Sequence, residues 1–504
     1  MNKLKWNIFA NFIGRGWSII LGVAFIPVYL KFLGIEAYGL IGFYTALRSI
    51  FGLMDFGFSA TLNRELARLS VLDDKAQEQR DLLRTLEIIY WLLSFFAGLL
   101  VFVLAPIITH RWVSPQHLPT GTVEDALRLM GLVIALQFPF SFYQGGLMGL
   151  QRQVLMNTII MLIGTLRGAG AVLVLWLISP SITAFFTWQI ITSGIGTLIC
   201  VFYLWQSLPT SEKSPKFNGT LLIGVWRFTA SVSINAIVGV LLTQLDKVIL
   251  SKMLSLTMFG YYTLAATVAS FLWAIIVPVN SALFPKFAQL VEVRDDFQLA
   301  NLYHRSCQFI AVVLVPIALT IALFSHEVML LWTRNAITAE NTYMLVTLLV
   351  IGTMLNGLAS VPGYLQFAAG WPQLTMYTNL FSAVILVPAL VFMASHYGGL
   401  GAAIVWVLLN SGYMLFTVPI MHRRLLKAEK WRWYVEDVGI PSAAVIVLIG
   451  LARWLMPEGA TSLSILLYLA AVWFLATTVC TLIASQVRAS IRSLLWRKSE
   501  TYGV

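Results

Sequence analysis

Three arginines, Arg15, Arg48 and Arg167, lie inside stretches apolar enough to cross a membrane, and no acid stands within one helical turn of any of them along the chain. A cation at bilayer depth costs about 2.5–3.5 kcal/mol on insertion scales, so arginines there usually face a bundle interior or a water-filled cavity on a substrate or ion path. Their chemistry is anion recognition, because a guanidinium stays charged when partly desolvated and can fork two hydrogen bonds onto a phosphate. A structural ion pair with an acid on another helix is the alternative. Polar residues step by three or four along the same segments, Asn7, Asn11, Arg15, Ser18 and Gly22 in the first and Thr45, Arg48, Gly52, Asp55 and Ser59 in the second, so each set makes one helix face. Ser231, Asn235, Gly239, Thr243 and Asp246 form a third stripe, with Lys247 pointing elsewhere. Such stripes suit a cavity lining; helix packing and interhelical hydrogen bonds would also account for the small and polar members. Asp55 and Asp246 are the acids read as lying inside spans away from helix ends, which makes them, with Lys247, candidates for proton or sodium coupling.

The elements that carry these residues follow from composition. Of 504 residues 59% are hydrophobic and 11% charged, and a mean hydropathy of +0.82 excludes a soluble globular chain. Spanning the hydrocarbon takes about 20 apolar residues as helix. Scanning for such runs predicts an all-α polytopic membrane protein of about 14 transmembrane helices, the first spanning 7–31, the second 38–61, the seventh 223–250, the eleventh and twelfth 374–396 and 400–421, the thirteenth 438–456 and the last 462–485. An even number places both termini on one side. Putting Lys3, Lys5, the 62–85 loop, the 206–222 loop, the 285–305 loop, the 422–432 loop and the tail in the cytoplasm collects most of the 33 lysines and arginines there. The net charge of +11 is thereby an orientation and lipid-anchoring feature rather than a nucleic-acid footprint. At 1.5 Å per residue Arg48 lies about 15 Å from Tyr38, near the midplane.

Little argues for an enzyme. Loops are short, the acids Glu36, Glu124, Asp125, Glu327, Glu340 and Glu458 are scattered, and no phosphate-cradling glycine loop, metal-ligand cluster or nucleophile triad is present in the sequence. The six histidines are read as interfacial residues at helix ends, and Cys200, Cys307 and Cys480 have no paired spacing.

A shift of 221 residues, from Gly39 to Gly260, also pairs Lys31 with Lys252, Leu33 with Leu254, Leu62 with Leu283, Tyr143 with Tyr364 and Gly149 with Gly370. The register persists over more than a hundred residues, which predicts a duplication; an even number of spans per repeat makes it parallel, with its axis along the membrane normal. The predicted organisation is a six-helix lobe at 1–205, a cytoplasmic linker at 206–219, a second six-helix lobe at 220–421, and a region 422–504 holding a basic loop, an additional helix pair at 438–485 and a basic tail. At the same shift Arg15, Arg48 and Arg167 face Ala236, Ala269 and Pro388, so the cations are confined to the first half.

The first 70 residues, with Asn11, Pro27, the run Leu33-Gly34-x-Glu36-x-Tyr38-Gly39, Asp55-x-Gly57 and Asn63-Arg64, together with Leu245-Asp246-Lys247, Ser251 and Gly260-Tyr261-Tyr262, resemble the polysaccharide transporter (Wzx-type O-antigen/oligosaccharide flippase) family of the multidrug/oligosaccharidyl-lipid/polysaccharide exporter superfamily. The resemblance implies translocation of undecaprenyl-diphosphate-linked oligosaccharide from the cytoplasmic to the periplasmic leaflet of a bacterial inner membrane by alternating access. It also implies membrane lipids and the polysaccharide polymerase and chain-length machinery as partners, and no cofactor beyond a coupling H+ or Na+. A drug or cation exporter of the same superfamily is the alternative, and a membrane glycosyltransferase or polymerase a weaker one.

Overall fold

Long apolar runs leave the backbone one solution in lipid, which is to satisfy every N–H and C=O within the segment, and the described chain is helical accordingly. A computed structural model describes residues 16–17, 20–72, 74–222, 244–457, 459 and 461–489. Among them eleven helices are long and apolar enough to cross a membrane. One of these, Gln373–Arg424, is 52 residues long and turns at Gly398 (φ 57°, ψ −137°), so it holds two predicted spans, 374–396 and 400–421. The eleven therefore account for twelve of the predicted set. Of the other two, 7–31 is described at 16–17 and 20–31 and 223–250 only at 244–250; Asn11, Arg15, Ser18 and Asn235 lie outside the described residues. The protein is an all-α, multi-pass membrane protein.

Contacts group the chain into two compact units, one ending at Gly260 and the other starting at Tyr261. In the first, α1 (Ile26–Phe51) is followed by α2 (Phe58–Leu69), α3 (Ala76–Arg111), α4 (Thr120–Gly149), α5 (Gln153–Leu177) and α6 (Ile182–Ser207). The predicted span 38–61 is broken: α1 ends in a 3-10 turn at Gly52–Asp55, and Phe56 and Gly57 adopt left-handed φ of 44° and 75° before α2 begins. Asp55 holds this corner, accepting from the Ser59 hydroxyl at 2.6 Å and the Tyr90 hydroxyl at 2.7 Å. Beneath it the rings of Tyr90, Phe138 and Phe142 stack with centroids 4.6 and 4.8 Å apart. The loop entering α4 is pinned by buried Glu36, whose carboxylate accepts backbone N–H groups from Gln116, His117 and Leu118. The 206–222 segment lies along α3, with Lys216 N donating to Asp81 at 2.8 Å and Asn218 N to Thr85 at 2.8 Å.

Gly39 and Gly260 explain how α1 meets α7 (Leu256–Ser270). A Cβ at Gly39 would collide with the Leu256 carbonyl oxygen, and one at Gly260 would collide with that of Ile35. The sequence repeat that pairs Gly39 with Gly260 also pairs Ile35 with Leu256, so the contact maps onto itself. Two backbones touch at equivalent points of the duplication.

In the second unit α8 (Trp273–Val293), α9 (Asp296–Leu323), α10 (Ser325–Thr333), α11 (Ala336–Ala368) and α12 (Gln373–Gly412) are followed by α13 (Val418–Arg424), α14 (Ile440–Trp454) and α15 (Ser462–Ile483). The helix ending in α14 starts at Lys430 rather than 438 and includes a π-helical stretch, Trp433–Gly439. That earlier start brings a further acid into a span. Asp437, fully buried, receives Gln308 Nε2 at 2.9 Å and pairs with His304 Nδ1 at 2.5 Å, while His304 Nε2 meets Glu429 at 2.9 Å. His422 bonds the Tyr303 hydroxyl at 3.1 Å. His304 and His422 are thus buried rather than interfacial: His304 joins α9 to the helix that begins at Lys430, and His422 joins α9 to α13.

Two outcomes test these contacts. Gly39→Ala and Gly260→Ala each push a methyl into a backbone carbonyl that cannot step aside, so each should cost about 1–3 kcal/mol, read as a lower thermal unfolding midpoint in detergent; unchanged midpoints would disprove the reciprocal contact. Asp437→Leu strips His304 and Gln308 of their acceptor and should cost about 3 kcal/mol, whereas Glu436→Ala, whose side chain is 53% exposed, should leave the midpoint in place.

Candidate functional site

Arg48 sits on α1 and Arg167 on α5, 119 residues apart (167 − 48), and the fold brings both guanidiniums to one residue of α4. With the amide of Gln137 turned so that its oxygen faces them, an assignment made from the hydrogen bonds it satisfies, that oxygen accepts from Arg48 Nη1 at 3.2 Å and Arg167 Nη1 at 2.8 Å. The amide nitrogen then donates to the Tyr44 hydroxyl at 2.5 Å. Tyr44 and Arg48 are four apart on α1 and so share its face. Arg167 Nη2 also donates to the Ser193 hydroxyl of α6 at 3.3 Å, and its buried Nε has no hydrogen-bond partner among the described residues. Arg48 is exposed and Arg167 half-buried. The partners named here are all neutral, so the ion-pair alternative gains no acid from them.

The wall around Arg167 follows from the local sequence Arg167-Gly168-x-Gly170. Phe25 and Trp188 rings press against the two glycines, occupying the space that a Cβ at either would need. Trp188 Nε1 donates to the Leu166 carbonyl at 3.0 Å and the Tyr29 hydroxyl to that of Gly168 at 3.2 Å. These contacts fix the α5 backbone on both sides of Arg167. The remaining candidates lie elsewhere or are engaged. Thr45 gives its hydroxyl proton to the Gly42 carbonyl at 2.7 Å. Asp55 is occupied at the α1–α2 corner. Asp246 and Lys247 are half-buried on the helical stretch 244–253, with Lys247 Nζ 3.2 Å from Gln244 Oε1.

Gln137, Tyr44 and Ser193 are the site residues that charge-based reading passes over. An uncharged amide alone in the apolar run Leu136 to Phe140 is the feature that could have marked it. The shared acceptor predicts energetic coupling: in a double-mutant cycle of Gln137→Leu with Arg167→Ala, the unfolding free energies should depart from additivity by about 1 kcal/mol or more. Strict additivity would mean that the amide and the guanidinium do not interact.

Similarity to known proteins extends over most of the chain. A protein of Shigella flexneri named "Putative O-antigen transporter" is 22% identical over 412 residues, spanning 80% of this chain and 92% of that one. The amylovoran biosynthesis protein AmsL of Erwinia amylovora is 25% identical over 358 residues, spanning 68% and 88%. Among solved structures, the lipid II flippase MurJ in an inward closed conformation superposes with a TM-score of 0.66 at 13% identity, covering 94% of this chain and 98% of that one. The MATE multidrug transporter DinF-BH gives 0.60 at 15% identity, covering 84% and 95%. These superpositions establish the fold, which the chain shares with both solved structures. The model of the polysaccharide biosynthesis protein family matches residues 30–335, more than half of the sequence, and the chain belongs to that family.

Proposed function

We propose that the protein is a flippase for undecaprenyl-diphosphate-linked oligosaccharide, carrying it from the cytoplasmic to the periplasmic leaflet of the bacterial inner membrane with both termini in the cytoplasm. One observation carries this reading: two guanidiniums from different helices converge on a single neutral amide inside the apolar bundle. Like charges brought together repel, and Gln137 supplies hydrogen bonds without supplying charge. The arrangement is therefore incomplete without an anion, and a diphosphate offers enough oxygens for both forks. Arg15 is the third proposed contact to the head group, and Asn11, Ser18, Thr45 and Asn235 the proposed polar lining. A cationic drug would meet repulsion at this point, which disfavours the exporter alternative despite the shared fold. Membership of a family named for polysaccharide biosynthesis supports the glycan, and the O-antigen transporter name of one relative supports the lipid-linked form.

The prenyl chain stays in lipid, and the exposed apolar face of α14 around Ile440, Ala444 and Val447 offers it a groove. Alternating access follows from rocking of the repeat halves 1–205 and 220–421. Asp246 and Lys247 are the proposed coupling pair for H+ or Na+, with Asp55 a second candidate that would have to release Ser59 and Tyr90 to take part. Glycan assembly by other membrane enzymes precedes this step and polymerisation follows it.

The test is translocation of a fluorescent prenyl-diphosphate oligosaccharide in vesicles reconstituted with the full chain. Arg48→Ala and Arg167→Ala should each slow it about tenfold or more, the effect of losing roughly 1.4 kcal/mol or more of charge-assisted bonding. Arg48→Lys should recover part of the rate, since a point charge remains without the fork. Wild-type rates in both alanine variants would refute the cationic site.

A further inference from the structure

A second cavity lies wholly within the second unit, with a volume of about 250 Å³. Among the described residues its lining contains no Asp, Glu, Lys, Arg or His. What it has instead is four carboxamides, Asn280, Asn356, Gln366 and Asn379, set among hydroxyls and the aromatic rings of Trp273 and Tyr413. Polar side chains at membrane depth are costly, and four amides around one space need a reason. Three of them bind neighbours: Asn356 Nδ2 donates to Asn410 at 2.6 Å, Gln366 Oε1 accepts from Thr375 at 3.0 Å, and Asn379 Oδ1 accepts from the Tyr413 hydroxyl at 3.1 Å. Asn280 is different. Its nitrogen donates to Ser360 at 2.8 Å, but its Oδ1, on a residue only 1% exposed, has no partner among the described residues.

The backbone around the cavity is irregular. α8 carries Pro278 two residues before Asn280, α11 carries Pro362, and the wall residues Tyr413 and Thr417 belong to a π-helical turn, Tyr413–Thr417. Such turns recur at functional sites. The repeat offers an internal comparison. At the 221-residue shift Asn280, Asn356, Gln366 and Asn379 correspond to Ser59, Ala135, Gly145 and Thr158, so none of the four amides has an amide counterpart in the first half. At this register Arg48 and Arg167 have no cation opposite them in the second half, and these four amides have no amide opposite them in the first.

Ligand chemistry follows by elimination. A phosphate would find no cation there, a cationic drug no acid, and an acyl chain would leave amides unpaired at roughly 1–3 kcal/mol each. A neutral sugar fits, because its hydroxyls both donate and accept and its C–H face can lie on an aromatic ring. A cavity of about 250 Å³ has room for a sugar ring. We propose that this cavity binds one uncharged sugar residue of the translocated glycan, with Asn280 and Asn379 hydrogen-bonding its hydroxyls. The proposal rests on the flippase reading above.

The experiment compares two probes in vesicles holding the full-length protein: a fluorescent prenyl diphosphate carrying a neutral trisaccharide of hexose and N-acetylhexosamine, and the same lipid diphosphate with no sugar. The wild type should move the glycosylated probe at least about tenfold faster, in line with the penalty for leaving a hydroxyl-binding site unpaired. Asn280→Leu and Asn379→Leu should bring that rate down to the level of the bare lipid while leaving the bare lipid's own rate unchanged. Unfolding midpoints report whether each variant is folded, and where one is not, the other is read. Equal rates for both probes in the wild type, or variants that slow both probes alike or neither, would overturn the sugar site while leaving the diphosphate site standing. Failure of the wild type to move either probe would overturn the flippase reading and this proposal with it.

Discussion

Two backbones, α1 and α7, touch at Gly39 and Gly260, where a side chain on either glycine would collide with a carbonyl of the other helix. In lipid no hydrophobic force drives helices together, so close van der Waals approach and interhelical hydrogen bonds must do it. Small residues permit that approach, and the Gly39–Gly260 pair does so reciprocally. From this crossing α1 runs on to present Tyr44 and Arg48, and the loop before α4 is anchored back onto α1 through Glu36. Chemistry at the site and packing at the crossing share one helix.

Much of this was legible in the chain. Apolar runs located the spans because hydrocarbon thickness sets their length, and the 221-residue register picked out Gly39 and Gly260 before any contact was known. The cations were legible as costly residues, and the fold brings Arg48 and Arg167 to a common partner. What could not be read were the neutral participants. Gln137 and the amides near Asn280 carry no charge to stand out against an apolar background, and their meaning depends on which helices face one another. Asp55 was visible as a residue but not as a corner, since left-handed Phe56 and Gly57 end the helix that the hydropathy pattern would continue. Asp437 fell just outside a span placed by hydropathy because the first turns of that helix are charged; buried His304 and Gln308 compensate them, an effect no local window contains.

The duplication supplied two copies of one scaffold and left them free to diverge in chemistry. Ala269 stands at the equivalent of Arg48 and is buried, and Pro388, at the equivalent of Arg167, lies inside a helix, so the second half packs without a cation at either position. The first half likewise holds no match for the four amides. Divergence of this kind separates packing positions that both halves keep, such as Gly39 and Gly260, from polar positions that only one half keeps. The His304–Asp437–Glu429 network belongs to neither class: it ties helices outside the repeat onto α9 and gives the terminal pair a fixed seat.

The amide of Gln137 has a consequence for the resting protein. It orients Arg48 and Arg167 but cancels neither charge, so electroneutrality falls to whatever small anion can enter from solution. Between turnovers the pair would be occupied by chloride or phosphate from the medium, and cargo would arrive by displacing it. Loading is then an ion exchange, and its rate would depend on which anions the cell supplies as well as on the cargo itself.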